Sequence, residues 1–308
     1  MIAACKRDQA EIPEWDVTAK SPGCEVSPGY PLGTTEATID AGGERSFRVH
    51  VPPGYDSQRP TPVVMMFHGG GGSGEQFQLR SSKMDPIADR EGFITVYPDG
   101  TGTIHSWNAG DCCGNAQRRE ADDVGFVAQL IDHLSQKLCV DRRRVFASGM
   151  SNGGMLSHRL ACELSDRIAA VAPVASAMVF PACAPTRPIP LLQIHGTADG
   201  HVPWEGGEGC GISGVTMPSI DDTLSGWRAR NGCAESSSET FAEGDTRCAV
   251  YTGCAAPVEL CTIEGGGHSW PGGEASPKVV DCPGDGHQST FAASEAAWRF
   301  FRANPLPE

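Results

Sequence analysis

The stretch 147-ASGMSNGGML-156 constrains the chain most, because an apolar run, a glycine-flanked serine and a helix-like segment follow one another there. Gly149 and Gly153 leave room for a sharp turn from a strand into a helix. Such a turn lifts the hydroxyl of Ser151 above the sheet and places it at a helix N-terminus. In a chain with 38 glycines the motif alone is weak, so its surroundings must support it.

Apolar runs and helical spacing alternate along the chain. Strands are predicted at 46–51, 63–67, 93–97, 145–148, 168–175, 191–195 and 258–263. Helices are predicted at 75–90, 120–138, 152–164, 224–230 and 294–302. This alternation predicts an α/β fold with a mostly parallel central sheet and helices on both faces.

The N-terminal region differs in composition from the rest. Residues 1–34 are rich in Pro and Gly and predict an irregular arm, whereas 35–308 is predicted to form a single catalytic domain. The chain opens Met1–Ile2–Ala3–Ala4–Cys5, which resembles the end of a bacterial lipoprotein signal. Cys5 would then be a lipidation site; the alternative is a cysteine present there by chance.

Charge and cysteine content limit the partners and the compartment. The net charge of −14, without a basic cluster, argues against nucleic acid. No apolar stretch approaches a membrane span, so the chain would meet a membrane only through a lipidated Cys5. Thirteen scattered cysteines favour disulfides and an exported protein, either secreted or periplasmic, or a surface lipoprotein.

The sequence alone does not determine the full set of disulfide pairs. Cys233 and Cys254 flank the segment before the last strand, and we expect them to pair. Cys112 and Cys113 are adjacent, and we expect them to bond elsewhere, if at all. Oligomeric state is not predicted.

Two later loops supply the partners that a serine nucleophile needs. Asp199 follows the strand 191–195, at the carboxyl end where α/β sheets bind ligands. His268 follows the strand 258–263 and three glycines, which predict a flexible loop that brings His268 to Ser151. His268 would move the serine proton, and Asp199 would orient and stabilise the imidazolium. The order Ser, Asp, His is that of the α/β-hydrolase fold.

A tetrahedral oxyanion needs hydrogen-bond donors beside the nucleophile. The predicted donors are the backbone N–H of Asn152, which follows Ser151, and those of Gly69 and Gly70. The two glycines belong to a run that follows the strand 63–67, and glycine allows the backbone to approach a ligand closely.

Three tryptophans are candidates for the substrate site. Trp107, Trp204 and Trp270 lie on loops that leave strand ends or lie beside a triad member. Each is predicted to form an apolar wall for an aromatic acyl group or a sugar ring. The alternative is that one or two of them pack in the core.

Several longer segments resemble one known family: FHGGGGSGEQF, YPDG, SWNAGDCCG, DDVGFVAQLID, RVFASGMSNGGML, IHGTADGHVPWEGG and IEGGGHSWPGG. In this order they resemble the bacterial esterase family named for polyhydroxybutyrate depolymerase, which also holds feruloyl and acetylxylan esterases. The resemblance covers residues 35–303. It implies a secreted or surface serine esterase with no metal or organic cofactor, with the triad and oxyanion residues in the roles given above.

Two segments depart from a simple member of that family. The 200–219 loop is long, rich in glycine and contains Cys210, and the segment 272–290 adds Cys282. Both lie near the loops of the predicted triad, so they bear on the substrate.

The substrate is predicted to be a small ester or an ester on a polysaccharide. Feruloyl or acetyl esters of plant cell-wall polysaccharides come first, because we expect no separate adsorption domain for a solid polymer in this chain. Polyhydroxybutyrate or other polyester oligomers are the alternative. Two other classes of function are also considered: a binding module without catalytic activity, and a metal-dependent hydrolase. His195 with Asp199, and Asp281 with Asp285, make too sparse a metal set, so no metal site is predicted.

Overall fold

The predicted apolar runs form strands in the computed structural model, which describes residues 20–26, 29–210, 214–274, 282 and 284–307. The strands are β1 Gly33–Asp40, β2 Glu44–Val51, β3 Thr61–Phe67, β4 Ile94–Pro98, β5 Val140–Met150, β6 Val171–Val174, β7 Leu191–Gly196, β8 Gly207–Glu208, β9 Thr216–Met217, β10 Ser237–Glu243, β11 Thr246–Tyr251 and β12 Val258–Ile263.

Ten of these strands form one sheet within the described residues, in the order β1-β2-β4-β3-β5-β6-β7-β12-β11-β10. The six from β4 to β12 in that order pair in parallel. The outer strands on both sides pair antiparallel. The predicted mostly parallel sheet is confirmed, and the sequence analysis missed β1, β10 and β11.

Helices connect the parallel strands: α1 Gly74–Gln76, α2 Asp85–Glu91, α3 Gly114–Arg118, α4 Asp123–Lys137, α5 Asn152–Glu163, α6 Ile220–Asn231 and α7 Ala293–Ala303. A single helix over 75–90 is wrong. The structure has α1, a π-helical turn at Phe77–Ser82 and then α2. Lys83 takes a left-handed conformation and ends the turn. α2 then begins at Asp85, with Pro86 in its first turn, where proline is tolerated because the N–H groups there have no partner within the helix.

The two faces of the sheet carry separate hydrophobic cores, because successive side chains of a strand point to opposite faces. In β3, Val63, Met65 and Phe67 pack with residues of α4, α5 and α6. Val64 and Met66 of the same strand pack with residues of α2 and α7 on the other face. Helices therefore cover both faces, as predicted.

The described part of the N-terminal arm is fixed to the end of α4. Cys24 forms a disulfide with Cys139. The hydroxyl of Ser21 donates to the Leu138 carbonyl at 2.9 Å and accepts from the Val140 N–H at 2.8 Å. β1 begins at Gly33, so the predicted irregular arm ends two residues too late. The single domain over 35–308 remains a prediction.

Twelve cysteines in the described residues form six disulfides: Cys24–Cys139, Cys112–Cys113, Cys162–Cys183, Cys210–Cys282, Cys233–Cys254 and Cys248–Cys261. The predicted pair Cys233–Cys254 is confirmed. The expectation that Cys112 and Cys113 bond elsewhere is wrong, because the two adjacent thiols face each other and bond together.

The disulfide content bears on the compartment in which the protein folds. Six disulfides indicate an exported protein that folds in an oxidising compartment. Cys5 lies outside the described residues, so its lipidation stays a prediction. Among the helices of the described residues, none has the length and apolar character of a membrane span.

Candidate active site

Ser151, the predicted nucleophile, lies on a sharp turn between β5 and α5. Its backbone angles are φ 56° and ψ −124°, a region that residues other than glycine seldom adopt. Its N–H donates to the Val174 carbonyl at 2.9 Å, which ties the turn to β6. A side chain at Gly149 would place its Cβ 2.6 Å from the Phe67 oxygen, and one at Gly153 would collide with the same oxygen. The glycines of the motif therefore permit close packing against β3.

The glycine run after β3 lies beside this turn. A Cβ at Gly69 would lie 3.4 Å from the Ser151 Cβ, and one at Gly70 would lie 3.9 Å from the Asn152 Cβ. Within the described residues, no hydrogen bond occupies the N–H groups of Gly69, Gly70 or Asn152. These N–H groups are therefore free to receive an oxyanion formed beside Ser151.

Asp199 and His268 meet across the carboxyl ends of β7 and β12. His268 Nδ1 and Asp199 Oδ2 are 2.8 Å apart, and the Asp199 carboxylate is buried. The other carboxylate oxygen of Asp199 accepts the N–H groups of His201 at 2.9 Å and Val202 at 2.8 Å. This arrangement holds the acid in place and leaves the other ring nitrogen of His268 for the proton transfer.

The charges of the pair stabilise each other. Burial lowers the pKa of His268, but the charge and hydrogen bond of Asp199 and the charge of Asp285 outweigh burial and hold this pKa above the ordinary histidine value. Burial raises the pKa of Asp199, but the charge and hydrogen bond of His268 outweigh burial and hold this pKa below its usual range. Asp199 is therefore ionised at neutral pH and suited to support an imidazolium.

No hydrogen bond joins the Ser151 hydroxyl to His268 within the described part of the chain. The hydrogen bond between acid and base is formed, and the one between base and nucleophile is not. Such bonds in proteins without bound substrate are often long and tighten only when substrate is present.

Two of the three glycines before His268, Gly266 and Gly267, serve close packing, which corrects the predicted flexible loop. A Cβ at Gly267 would lie 2.5 Å from the Gly286 carbonyl oxygen, and one at Gly196 would collide with Gly266. The Ala198 N–H donates to the Gly266 carbonyl at 2.9 Å. The loops of Asp199 and His268 thus contact each other directly through their backbones.

Trp107 does not line a substrate pocket, because its side chain is 0% exposed. Its indole Nε1 donates to the His68 carbonyl at 2.9 Å. The side-chain amide of Asn152 accepts from the Trp107 N–H at 2.7 Å and donates to its carbonyl at 3.0 Å. Trp107 therefore connects the residue after the nucleophile to the start of the glycine run.

Trp270 is also buried, at 1% exposure, which corrects its predicted role as a substrate wall. Its ring packs edge-on against Phe77, and its Nε1 donates to the Ser294 hydroxyl at 3.1 Å. Trp204 is partly exposed and packs edge-on against His195 with ring centroids 6.0 Å apart. Its role toward substrate stays a prediction.

His68 is a functional candidate that the sequence analysis did not single out, although it directly precedes the glycine run. The ring Nδ1 is 2.7 Å from the Gly69 carbonyl, and Nε2 accepts from the Gly100 N–H at 2.9 Å. Nε2 can accept a hydrogen bond only when it carries no proton. The proton of the neutral ring is therefore on Nδ1, which donates a hydrogen bond to the Gly69 carbonyl. Burial lowers the pKa of His68 to about 4. This neutral ring holds the glycine run in place.

Three groups of potential metal ligands occur in the described residues: His201 with Cys210 and Cys282, His68 with Asp99 and His105, and Cys248 with Glu259 and Cys261. The cysteines of the first and third groups are bonded to each other as disulfides. In the second group both ring nitrogens of His68 are engaged by backbone. None of the three groups offers a free set of ligands.

The fold and the order of these elements are those of an α/β hydrolase. The acetyl xylan esterase from Aspergillus awamori superposes with a TM-score of 0.57 at 15% identity, covering 77% of this chain and 94% of that one. This likeness concerns the fold alone.

The relatives define the family more narrowly. The family model described as Esterase PHB depolymerase matches residues 45–187. Feruloyl esterase B of Piromyces equi is 33% identical over 73% of this chain, but the match spans only 42% of that protein. The putative esterase NocK of Nocardia uniformis subsp. tsuyamanensis is 32% identical over 78% of this chain and 74% of that protein. The chain belongs to this esterase family.

Proposed function

We propose that the protein is a serine carboxylic-ester hydrolase that acts on feruloyl or acetyl esters of plant cell-wall polysaccharides. The observation that carries the proposal is the hydrogen bond between the buried Asp199 and the partly buried His268, on the same sheet edge as the Ser151 turn, which the glycine run faces. A secreted or periplasmic location would bring such an enzyme into contact with its polysaccharide.

The proposed mechanism proceeds through an acyl-enzyme. His268 accepts the proton of the Ser151 hydroxyl while Oγ attacks the ester carbonyl carbon. The carbonyl oxygen becomes an oxyanion and accepts hydrogen bonds from the N–H groups of Asn152 and of Gly69 or Gly70. The C–O bond to the alcohol then breaks, and the alcohol leaves with the proton from His268. Water repeats the sequence and releases the acid, with the proton returned to Ser151.

The choice of substrate is supported by the relatives and by one exposed residue. The relative feruloyl esterase B is named for an ester with an aromatic acyl group, which supports the proposed substrate. The family description names polyhydroxybutyrate, which supports the alternative. Ile104 is 57% exposed, and a Cβ at Gly71 would lie 3.7 Å from its Cγ2. An apolar side chain beside the glycine run suits a flat aromatic acyl group.

The test is a paired assay of the protein and its Ser151→Ala variant on methyl ferulate, an acetylated xylan oligosaccharide and a hydroxybutyrate oligomer. We expect the variant to lose at least about 1,000-fold in kcat on every ester. Ser238→Ala, on the exposed strand β10, is the matched control and should keep full activity.

The assay tests the nucleophile and the substrate separately. Turnover by Ser151→Ala near that of the unchanged protein would overturn the proposal. A preference for methyl ferulate or the xylan ester supports the proposed substrate. A preference for the hydroxybutyrate oligomer replaces that substrate with the polyester alternative and leaves the mechanism unchanged.

A further inference from the structure

A short segment, Cys282 with residues 284–287, crosses the loops of Asp199 and His268; we call it the strap. The Gly286 N–H donates to the Ala198 carbonyl at 3.0 Å, beside Asp199. The Gly267 N–H donates to the His287 carbonyl at 2.9 Å, beside His268. One segment is thus bonded to the backbones on both sides of the acid–base pair.

Asp285 is the residue of the strap that joins the two loops through a side chain. A single carboxylate oxygen, Oδ1, accepts the Gly200 N–H at 3.1 Å and the His268 N–H at 2.9 Å. Gly200 directly follows Asp199. The oxygen therefore fixes the distance between the backbones that carry the acid and the base.

The disulfide of the strap reaches His268 indirectly, through the ring of His201. Cys282 is bonded to Cys210, and its Sγ is 3.0 Å from the Nε2 of His201. The ring of His201 lies nearly parallel to that of His268, with centroids 4.5 Å apart and an interplanar angle of 26°. Rotation of the His268 ring away from Asp199 is therefore opposed by a second ring.

We propose that Asp285 is a positioning residue of the esterase site, which holds the Asp199 and His268 loops in the geometry for proton transfer while Cys210–Cys282 anchors its segment. This inference rests on the proposed function. Asp285 acts through the backbone and through charge, without contact to the reacting atoms. A misplacement of about 1 Å in a catalytic group costs about 100-fold in rate, so a small shift of either loop is measurable.

The charge of Asp285 gives the proposal a second readout. The groups that face His268 are Asp199 on Nδ1, His201 on its ring face, Asp285 at its N–H, and His195 behind Asp199. Among these, the carboxylate of Asp285 acts with Asp199 to raise the pKa of His268. Removal of the Asp285 charge lowers this pKa, so the acid limb of kcat/KM moves to lower pH.

The experiment compares Asp285→Asn with Asp285→Ala. The amide oxygen of asparagine keeps an acceptor for both N–H groups without the charge, whereas alanine removes both. The readouts are kcat and KM across pH, and the rate at which a fluorophosphonate labels Ser151. Asp40→Ala is the control, because Asp40 also accepts a backbone N–H, that of Gly43 at 2.9 Å, in the remote β1–β2 turn.

We expect Asp285→Ala to lose about 10- to 100-fold in kcat and in labelling rate with KM within about threefold. Asp285→Asn should recover kcat to within about threefold of the unchanged protein and move the acid limb to lower pH. Asp40→Ala should match the unchanged protein.

The inference is overturned by a kcat of Asp285→Ala within about twofold of the unchanged protein, or by equal losses in both variants. If Asp285→Ala fails to fold, the asparagine variant decides: an unshifted acid limb overturns the inference, and a shift to lower pH supports it. Loss of activity in Ser151→Ala with unaffected Asp285 variants removes this inference alone. Full activity of Ser151→Ala removes the proposed function as well.

Discussion

The indole Nε1 of Trp107 donates a hydrogen bond to the carbonyl of His68 at 2.9 Å. The backbone of the same Trp107 is paired on both sides with the side chain of Asn152. A buried tryptophan thus fixes the spacing between the two segments that supply the proposed oxyanion donors.

Replacing Trp107 by Phe should therefore slow the chemical step with little effect on KM. Phenylalanine fills most of the volume but has no N–H donor, so the glycine run loses one fixed point, and we expect kcat to fall about 10-fold. Trp227→Phe is the matched control, because Trp227 is a buried tryptophan whose Nε1 donates to His158 at 3.0 Å, on α5 away from the glycine run. Equal losses of kcat in both variants would contradict the role given to Trp107.

The folded protein should lose stability as the pH falls from about 6.5 toward 4, partly because of His68. Burial lowers the pKa of His68 to about 4, so the unfolded chain binds a proton at this residue in a pH range where the folded chain does not. The stabilisation is fully present above the unfolded pKa and is lost as the pH falls to the folded one; it is on the order of 3 kcal/mol.

Thermal unfolding of His68→Gln at pH 7 and pH 4.5 tests this prediction. The difference in Tm between the two pH values should be smaller in the variant than in the unchanged protein. Some dependence should remain, because burial also lowers the pKa of His158 and of His195. An unchanged difference in Tm would show that His68 is not neutralised by folding.

Ile104 should affect the choice of acyl group. Truncation in Ile104→Ala removes apolar surface beside the glycine run, so kcat/KM for methyl ferulate should fall about 3- to 10-fold relative to that for an acetyl ester. Leu32→Ala is the control, because Leu32 has the same 57% exposure next to β1. A parallel loss on both esters would mean that Ile104 does not contact the acyl group.

The disulfides should differ in their contribution to the free energy of unfolding. Cys24–Cys139 joins residues 115 apart, and Cys248–Cys261 joins residues 13 apart. A cross-link that closes a longer loop restricts the unfolded chain more, which predicts losses of about 5 and about 3 kcal/mol when each pair is replaced by serines. Denaturant unfolding of the two double variants measures the difference. A larger loss from the short loop would point to packing in the folded state as the main contribution.

The sequence predicted the parallel strands and the residues of the acid–base pair because both depend on local signals. A buried strand such as β3 is a continuous apolar run, and the glycines before His268 mark the loop that follows β12. The outer strands lack such a signal. Residues of β1 alternate between partly buried and exposed, and those of β10 are exposed almost throughout. Neither strand is therefore an apolar run in the sequence.

The parts of the site that sequence analysis missed depend on long-range contacts. Residue type indicates that a tryptophan can contact a substrate, but the burial of Trp107 and Trp270 follows from packing against distant segments. The glycines before His268 were interpreted as flexible because the strap that packs on them lies more than 15 residues later in the chain. Asp285 lies in no recognisable sequence motif. Its proposed role becomes visible only when the folded chain brings it between the loops of Asp199 and His268.

The polar outer strands also affect how copies of the protein behave at high concentration. An edge strand exposes unpaired N–H and C=O groups that can template the addition of another chain and start an aggregate. Here the edges are β1, which carries Glu36, and β10, which carries Glu239 and Glu243 on an exposed surface. Arg48 and Arg247 pair with two of these glutamates, but each copy carries a net charge of −14. Approaching copies therefore repel each other, which disfavours edge-to-edge growth of the sheet into fibrils.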